Sequence, residues 1–293
     1  MSPTTHFVPR GAHRLHAQEY PDNGPVVVLL HGFPDNLHLY DALVPYLVPH
    51  FRVIAFDFLG WGHSDKPASH AYTFDAWQGD LGAVLDYFAL TAVTLVAHDA
   101  SGPPAIDWAQ LHPDRMTRLV LLNTFYSHMA TRTPEAILLF STPVVRAVAR
   151  VVARAFGNFL FRRMFWWQIG RFMTREADRQ HYIPLLYAQF AAESSSQLPF
   201  FALNRDLLPA IIRRTRHLSS LRGFAVPVQI IFGALDPYLN ARVAQQFHQL
   251  FPGSELHLLP HARHFVQIDA PAEVAGLLRQ PAPATTLKST QSD

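Results

Sequence analysis

Four short strings in this chain carry side chains that can share one reaction. In Leu95-Val-Ala-His-Asp-Ala-Ser-Gly102 an acid, Asp99, sits among small residues where an apolar run passes into a helix opening near Pro103. A strand that bends sharply into a helix holds its central side chain above the sheet in a strained backbone, and small neighbours (here Ala97, Ser101 and Gly102) let the backbones approach. A carboxylate with a reference pKa of about 4 is ionised at neutral pH and needs no base before it attacks carbon. His31-Gly32-Phe33-Pro34 follows an earlier apolar run and places the Phe33 amide beside that bend, where it forms an oxyanion hole with the Ala100 amide. Asp236, in Ile230-Ile-Phe-Gly-Ala-Leu-Asp-Pro-Tyr238, and His264, in His261-Ala-Arg-His264-Phe, follow two later apolar runs as acid and base.

Together these residues predict hydrolysis in two halves. Asp99 displaces a leaving group from saturated carbon and becomes an alkyl ester. His264, oriented by Asp236, then deprotonates a water that attacks the ester carbonyl, while the Phe33 and Ala100 amides hold the oxyanion. This chemistry requires neither a metal nor an organic cofactor. Each string alone also has a structural reading, because turns favour Asp and Gly whatever else they do. The four in the order nucleophile, acid, base point to catalysis. His98 reads as a histidine packed behind the bend, and Asp57 and Asp65 as turn formers beside Gly60 and Gly62. Asp35 and Asn36 follow the Phe33 turn and can reach the same cavity, and His261 competes with His264 by proximity.

Such a set needs a rigid scaffold. Apolar runs at 25–30, 52–56, 93–97, 118–122 and 228–232, with a shorter one at 256–259, read as buried parallel strands. Helical stretches at 39–47, 74–89 and 104–111 alternate with them, which predicts an α/β class with a mostly parallel central sheet flanked by helices. From Tyr126 to Leu221 the alternation stops and the sequence turns helical, aromatic and Arg-rich; it resumes at Val226. The expected organisation is a core of residues 1–125 and 222–280, a helical cap inserted at 126–221, and a disordered tail at 281–293.

Composition supports a folded enzyme. With 49% hydrophobic residues over 293, the chain can bury a large core, and the lack of cysteine excludes disulfides, thiolate zinc sites and a thiol nucleophile. Residues 1–10 lack the basic start and apolar core of a secretory signal, and no run approaches a membrane span, so a cytoplasmic location is the default expectation. The net charge of +2 hides an asymmetry: Tyr126 to Arg216 holds thirteen arginines against Glu135, Glu176, Asp178, Glu193 and Asp206. These arginines read as a solvated helical face or, because Val144 to Met173 interleaves them with apolar residues, as weak contact with a membrane surface. They fit no nucleic-acid-reading motif.

Over roughly residues 5 to 280 the chain resembles the α/β-hydrolases, and within them the haloalkane dehalogenase and epoxide hydrolase branch. The strings that carry the resemblance are His31-Gly-Phe-Pro34, Asp57-Phe-Leu-Gly-Trp-Gly-His-Ser-Asp-Lys-Pro67, His98-Asp99 and His264-Phe-Val-Gln-Ile-Asp269. It implies His264 rather than His261 as base, and small apolar substrates. Dehalogenases of this kind place a halide-binding tryptophan after the nucleophile, where this chain has Ala100, and often a second donor at the position of Phe33. Trp166 and Trp167 are the substitutes the cap offers. Epoxide hydrolases instead protonate the opening oxygen with cap tyrosines, for which Tyr182 and Tyr187 are the candidates. Epoxide opening therefore stands ahead of carbon–halogen cleavage. A β-lactone decarboxylase-like reaction and a non-catalytic ligand receptor are the remaining alternatives.

Overall fold

Short runs of valine, leucine and isoleucine with no polar alternation form strands that are covered on both faces. The computed structural model describes residues 2–129, 144–145, 147–148, 151, 159–191 and 196–282. Strands β3 (Val26–Leu30), β4 (Arg52–Phe56), β5 (Val93–Asp99), β6 (Met116–Thr124), β7 (Val228–Gly233) and β8 (Glu255–Leu259) run parallel, and β7 is buried along its whole length. Ahead of them β1 (Thr4–Arg10) and β2 (His13–Tyr20) form an antiparallel hairpin that pairs through β2 with β4. The sheet order is β1-β2-β4-β3-β5-β6-β7-β8, eight strands in all.

The hairpin was not legible as an apolar run, because β1 is an edge strand in which Val8 alone is buried. A second difference is that the stretch expected as one helix at 39–47 is a 3-10 turn (Leu37–Tyr40) followed by the short α1 (Val44–Leu47). Pro45, in the first turn of α1, suits a helix start and could not continue a helix arriving from upstream.

Helices α2 (Phe74–Tyr87) and α3 (Gly102–Leu111) pack on each other, and α7 (Ala241–Leu250) packs on β7 and β8. Two short helices, α8 (Val266–Asp269) and α9 (Pro271–Leu278), follow β8. Between β6 and β7 the chain forms α4 (Phe159–Gly170), α5 (Glu176–Ala191) and α6 (Gln197–Thr215). The buried Gln189 ties α5 to the loops that follow β3 and β4: its Oε1 accepts from the Gly62 amide (2.8 Å) and its Nε2 donates to the Pro34 carbonyl (3.0 Å). Of the stretch expected as 126–221, residues 130–143, 146, 149–150, 152–158 and 192–195 lie outside the described residues, and with them Glu135, Glu193, Arg132, Arg146, Arg150 and Arg154; so do 283–293 of the expected tail.

Candidate active site

Asp99 ends β5 with φ of 48°, a left-handed conformation that costs a non-glycine residue about 1–3 kcal/mol and persists only where the surroundings impose it. Here they do. The Ser101 hydroxyl oxygen accepts from the His98 amide (2.9 Å), and the Thr124 hydroxyl donates to the Asp99 carbonyl. Gly32 completes the bend from the neighbouring loop: a Cβ there would lie 2.7 Å from the Asp99 Cβ.

The two oxygens of Asp99 have different surroundings. Oδ2 accepts from the Phe33 amide (3.0 Å), and the Ala100 amide also hydrogen-bonds the carboxylate. Oδ1 lies 3.9 Å from His264 Nε2. Burial pushes the Asp99 carboxyl above its ordinary pKa, opposed by the charge of His264 and the two amides. His264 Nδ1 donates to Asp236 Oδ2 (2.6 Å). Asp236 Oδ1 accepts from the amides of Tyr238 (2.8 Å) and Leu239 (3.1 Å). Burial alone would raise Asp236, but His264 and these amides outweigh it and hold the carboxyl below its usual range. Burial alone would likewise lower His264; the charge and hydrogen bond of Asp236, followed by the charge of Asp99, raise it instead. The three residues picked out as nucleophile, base and acid are thus brought together by the ends of three different strands.

Two further residues belong to this cluster: Asn123, which escaped sequence reasoning, and Asp35, which was expected to reach the cavity but does not line it. Asn123, at the end of β6 with φ of 27°, donates from Nδ2 to Asp236 Oδ2 (2.9 Å) and accepts on Oδ1 from the Gly233 amide (2.7 Å), so it fixes the acid and the end of β7 together. A polar Asn closing the apolar run of β6 is the signal that could have found it. Asp35 is buried, and its Oδ1 has no hydrogen-bond partner. Burial, then the neighbouring Asp99 charge, pushes it up to about 8, so it holds a proton at neutral pH.

His98 Nε2 donates to the His264 carbonyl (3.1 Å), and its buried Nδ1 lies 3.9 Å from Asp35 Oδ2. Burial holds His98 well below its ordinary pKa, so it serves as a neutral strut behind the bend. His31 accepts on Nε2 from the Phe58 amide (3.1 Å), and Asp57 accepts from the amides of Leu37 and His63 (both 2.9 Å), tying together the loops beside Asp99. Asn36 caps the following 3-10 turn through the His38 amide (3.1 Å). His261 is half-exposed and pairs with Glu273 at 2.9 Å, away from Asp99.

A cavity of about 120 Å³ opens on Asp99 and His264, below the size usual for drug-like ligands. Its walls include the rings of Phe33, Phe125, Phe161, Phe165, Phe172 and Phe200, with Gln168, Asn204 and Tyr238 among the polar groups. Tyr182, Tyr187, Trp166 and Trp167, expected as leaving-group donors, do not line it. Tyr187 packs its ring against Phe165 and Phe190, Tyr182 is buried elsewhere on α5, Trp167 is 52% exposed under the Arg171 guanidinium, and Trp166 borders an outer groove. The helix faces turned to the cavity carry Phe161, Met164, Phe165 and Gln168 instead. The cavity's phenol is Tyr238, from the β7 end, whose hydroxyl accepts from Gln168 Nε2 (3.2 Å). Among the described residues no group of His, Asp or Glu could hold a metal ion, and no helix is long and apolar enough to cross a membrane.

Comparison with known proteins places this geometry in a family. The model of the alpha/beta hydrolase fold matches residues 25–271. The chain belongs to the alpha/beta hydrolase fold family. This α/β-hydrolase is 27% identical over 259 residues to haloalkane dehalogenase 2 of Mycobacterium tuberculosis, covering 87% of each chain. It is 23% identical over 272 residues to epoxide hydrolase 3 of Xenopus tropicalis, covering 87% of this chain and 70% of the relative. The crystal structure of haloalkane dehalogenase DbeA from Bradyrhizobium elkani superposes with a TM-score of 0.79 at 21% identity, covering 94% of this chain and 97% of that one. The protein is an enzyme of the α/β-hydrolase type, related to haloalkane dehalogenases and epoxide hydrolases.

Proposed function

We propose that this α/β-hydrolase opens epoxides of small apolar compounds through a covalent ester of Asp99. The observation that carries this reading is the asymmetry of the carboxylate, with Oδ2 on the Phe33 amide and Oδ1 toward His264. Oδ1 attacks the epoxide carbon, the carbon–oxygen bond breaks, and Oδ2 becomes the ester carbonyl oxygen, already seated on the Phe33 amide that will help hold the oxyanion. Ester formation removes the negative charge of Asp99 from beside His264. That charge helps raise the histidine, so its loss returns His264 toward the neutral form that can take a proton from water. Asp236 stabilises the imidazolium formed as water attacks. The opening oxygen needs a proton donor, and the Tyr238 hydroxyl in the cavity wall has the chemistry for it. The helices α4–α6 act as the cap that encloses the substrate.

Carbon–halogen hydrolysis is the second reading, favoured by the likeness to haloalkane dehalogenase 2 and disfavoured by Ala100 and Phe33, which offer a halide no side-chain donor. A single turnover in heavy-oxygen water tests the ester: label enters Asp99 first and is absent from the first product released. Label appearing at once in that product would overturn the mechanism. His264→Gln should accumulate an adduct visible by intact mass, and a panel of styrene-type epoxide, bromoalkane and β-lactone, read by product identity, separates the substrate classes.

A further inference from the structure

We propose that the outer face of α4 is a docking surface for an anionic lipid bilayer. A helix packed over a protein core ordinarily turns its polar side chains to solvent. α4 does not follow this pattern: its inner positions Phe161, Met164 and Phe165 line the cavity, yet Phe159 (62% exposed), Leu160 and Trp167 are turned outward. Arg162 and Arg163 are exposed among them, and the helix carries no acidic residue. A groove of about 360 Å³ runs between Phe159, Arg162, Arg163 and Trp166, with the Arg163 guanidinium 5.8 Å from the Phe159 ring centroid. Among the described residues neither Arg162 nor Arg163 meets a carboxylate, whereas Arg175, Arg179, Arg213 and Arg214 on the neighbouring segments all do.

Aromatic and aliphatic side chains interleaved with uncompensated guanidinium groups suit the headgroup region of a bilayer containing acidic phospholipid, where the rings enter the acyl boundary and the arginines meet phosphate. The same apolar character borders the cavity on α6, where Leu208 and Ile212 are exposed beside Leu207 and Ile211, which line it. A protein seated this way holds its apolar cavity close to the phase in which an apolar substrate dissolves. The inference goes beyond the proposed reaction, and docking is measured without turnover, so either can fail while the other stands.

The test is flotation of the full chain with phosphatidylcholine vesicles, with and without phosphatidylglycerol, at low and high salt. The protein should float with the acidic vesicles and be released by salt. At about 1 kcal/mol per arginine near such a surface, Arg162→Gln and Arg163→Gln should each weaken binding about fivefold, and the pair together roughly twenty-five-fold. Phe159→Ser with Leu160→Ser should also weaken it. All these side chains are exposed, so circular dichroism and melting temperature should be unchanged. Failure of the unmodified protein to float, equal binding to neutral vesicles, or undiminished binding of the double arginine variant would overturn the proposal. So would a dimer in sedimentation velocity that Phe159→Ser with Leu160→Ser dissolves while vesicle binding stays absent, because a second copy would then cover the face.

Discussion

The strand ends of the sheet and the helices between β6 and β7 meet at one cavity but build it by different means. At the strand ends, backbone groups place the chemistry: the Phe33 and Ala100 amides on Asp99, the Tyr238 and Leu239 amides on Asp236, and left-handed conformations at Asp99 and Asn123. In α4 and α6 the contribution comes from side chains, the rings of Phe161, Phe165 and Phe200 together with aliphatic groups such as Met164, Ile169, Leu207 and Ile211. A site fixed by main chain tolerates little displacement, because moving one residue moves the strand behind it. A wall of packed rings can be recut by substitution with the reacting atoms left in place. Under the proposed function, the sheet would determine what reaction occurs and the helices which molecule undergoes it.

That division can be broken at its strongest point first. Asp99→Ala should abolish turnover while the fold is retained, and Asp236→Asn should lower kcat by about 10⁴-fold, the scale of losing an orienting acid; steady-state kinetics with circular dichroism reads both. A variant of either residue retaining near-normal turnover would place the chemistry elsewhere. Tyr238→Phe comes next, with an expected loss of about 10²–10⁴-fold on epoxides and much less on a bromoalkane, whose leaving halide needs no proton. Equal losses on the two substrates would assign Tyr238 to packing.

Asp35→Asn should act on stability. In the unfolded chain this carboxyl titrates near 3.8, and in the fold near about 8. Between those values the folded protein holds a proton that the unfolded chain releases, so its stability falls as pH rises through that window. The variant should lose this contribution to the pH dependence and be more stable at pH 7, by up to about 4 kcal/mol, in denaturant titrations. An unchanged pH dependence would mean that Asp35 is ionised in the fold. The smallest effect belongs to the helices: Trp167→Ala and Tyr187→Phe should leave turnover within about twofold, because neither side chain reaches the cavity. A large kcat loss in either would restore it as a leaving-group donor and undo the contrast between the two regions.

The sequence exposed what depends on local pattern. The parallel strands announced themselves as short apolar runs, and the bend at Asp99 as an acid between small residues at a strand-to-helix junction, because burial on both faces and close backbone approach restrict composition directly. β1 stayed hidden because an edge strand obeys neither restriction. Asn123 stayed hidden because one amide side chain at a strand end has no signature until β7 lies beside it.

By itself, then, the chain order determined the scaffold and which candidate groups would meet: Asp99, Asp236 and His264 each follow an apolar run, and parallel strands deliver their ends to one edge of the sheet. Tertiary structure alone decided which side chains face the cavity. A helix shows its residues to several neighbours at once, and whether Tyr187 or Phe165 looks toward Asp99 depends on how α4, α5 and α6 rotate against one another. The protonation of Asp35 was decided in the same way, since it follows from burial beside a second carboxylate more than sixty positions away, a proximity that no local pattern encodes.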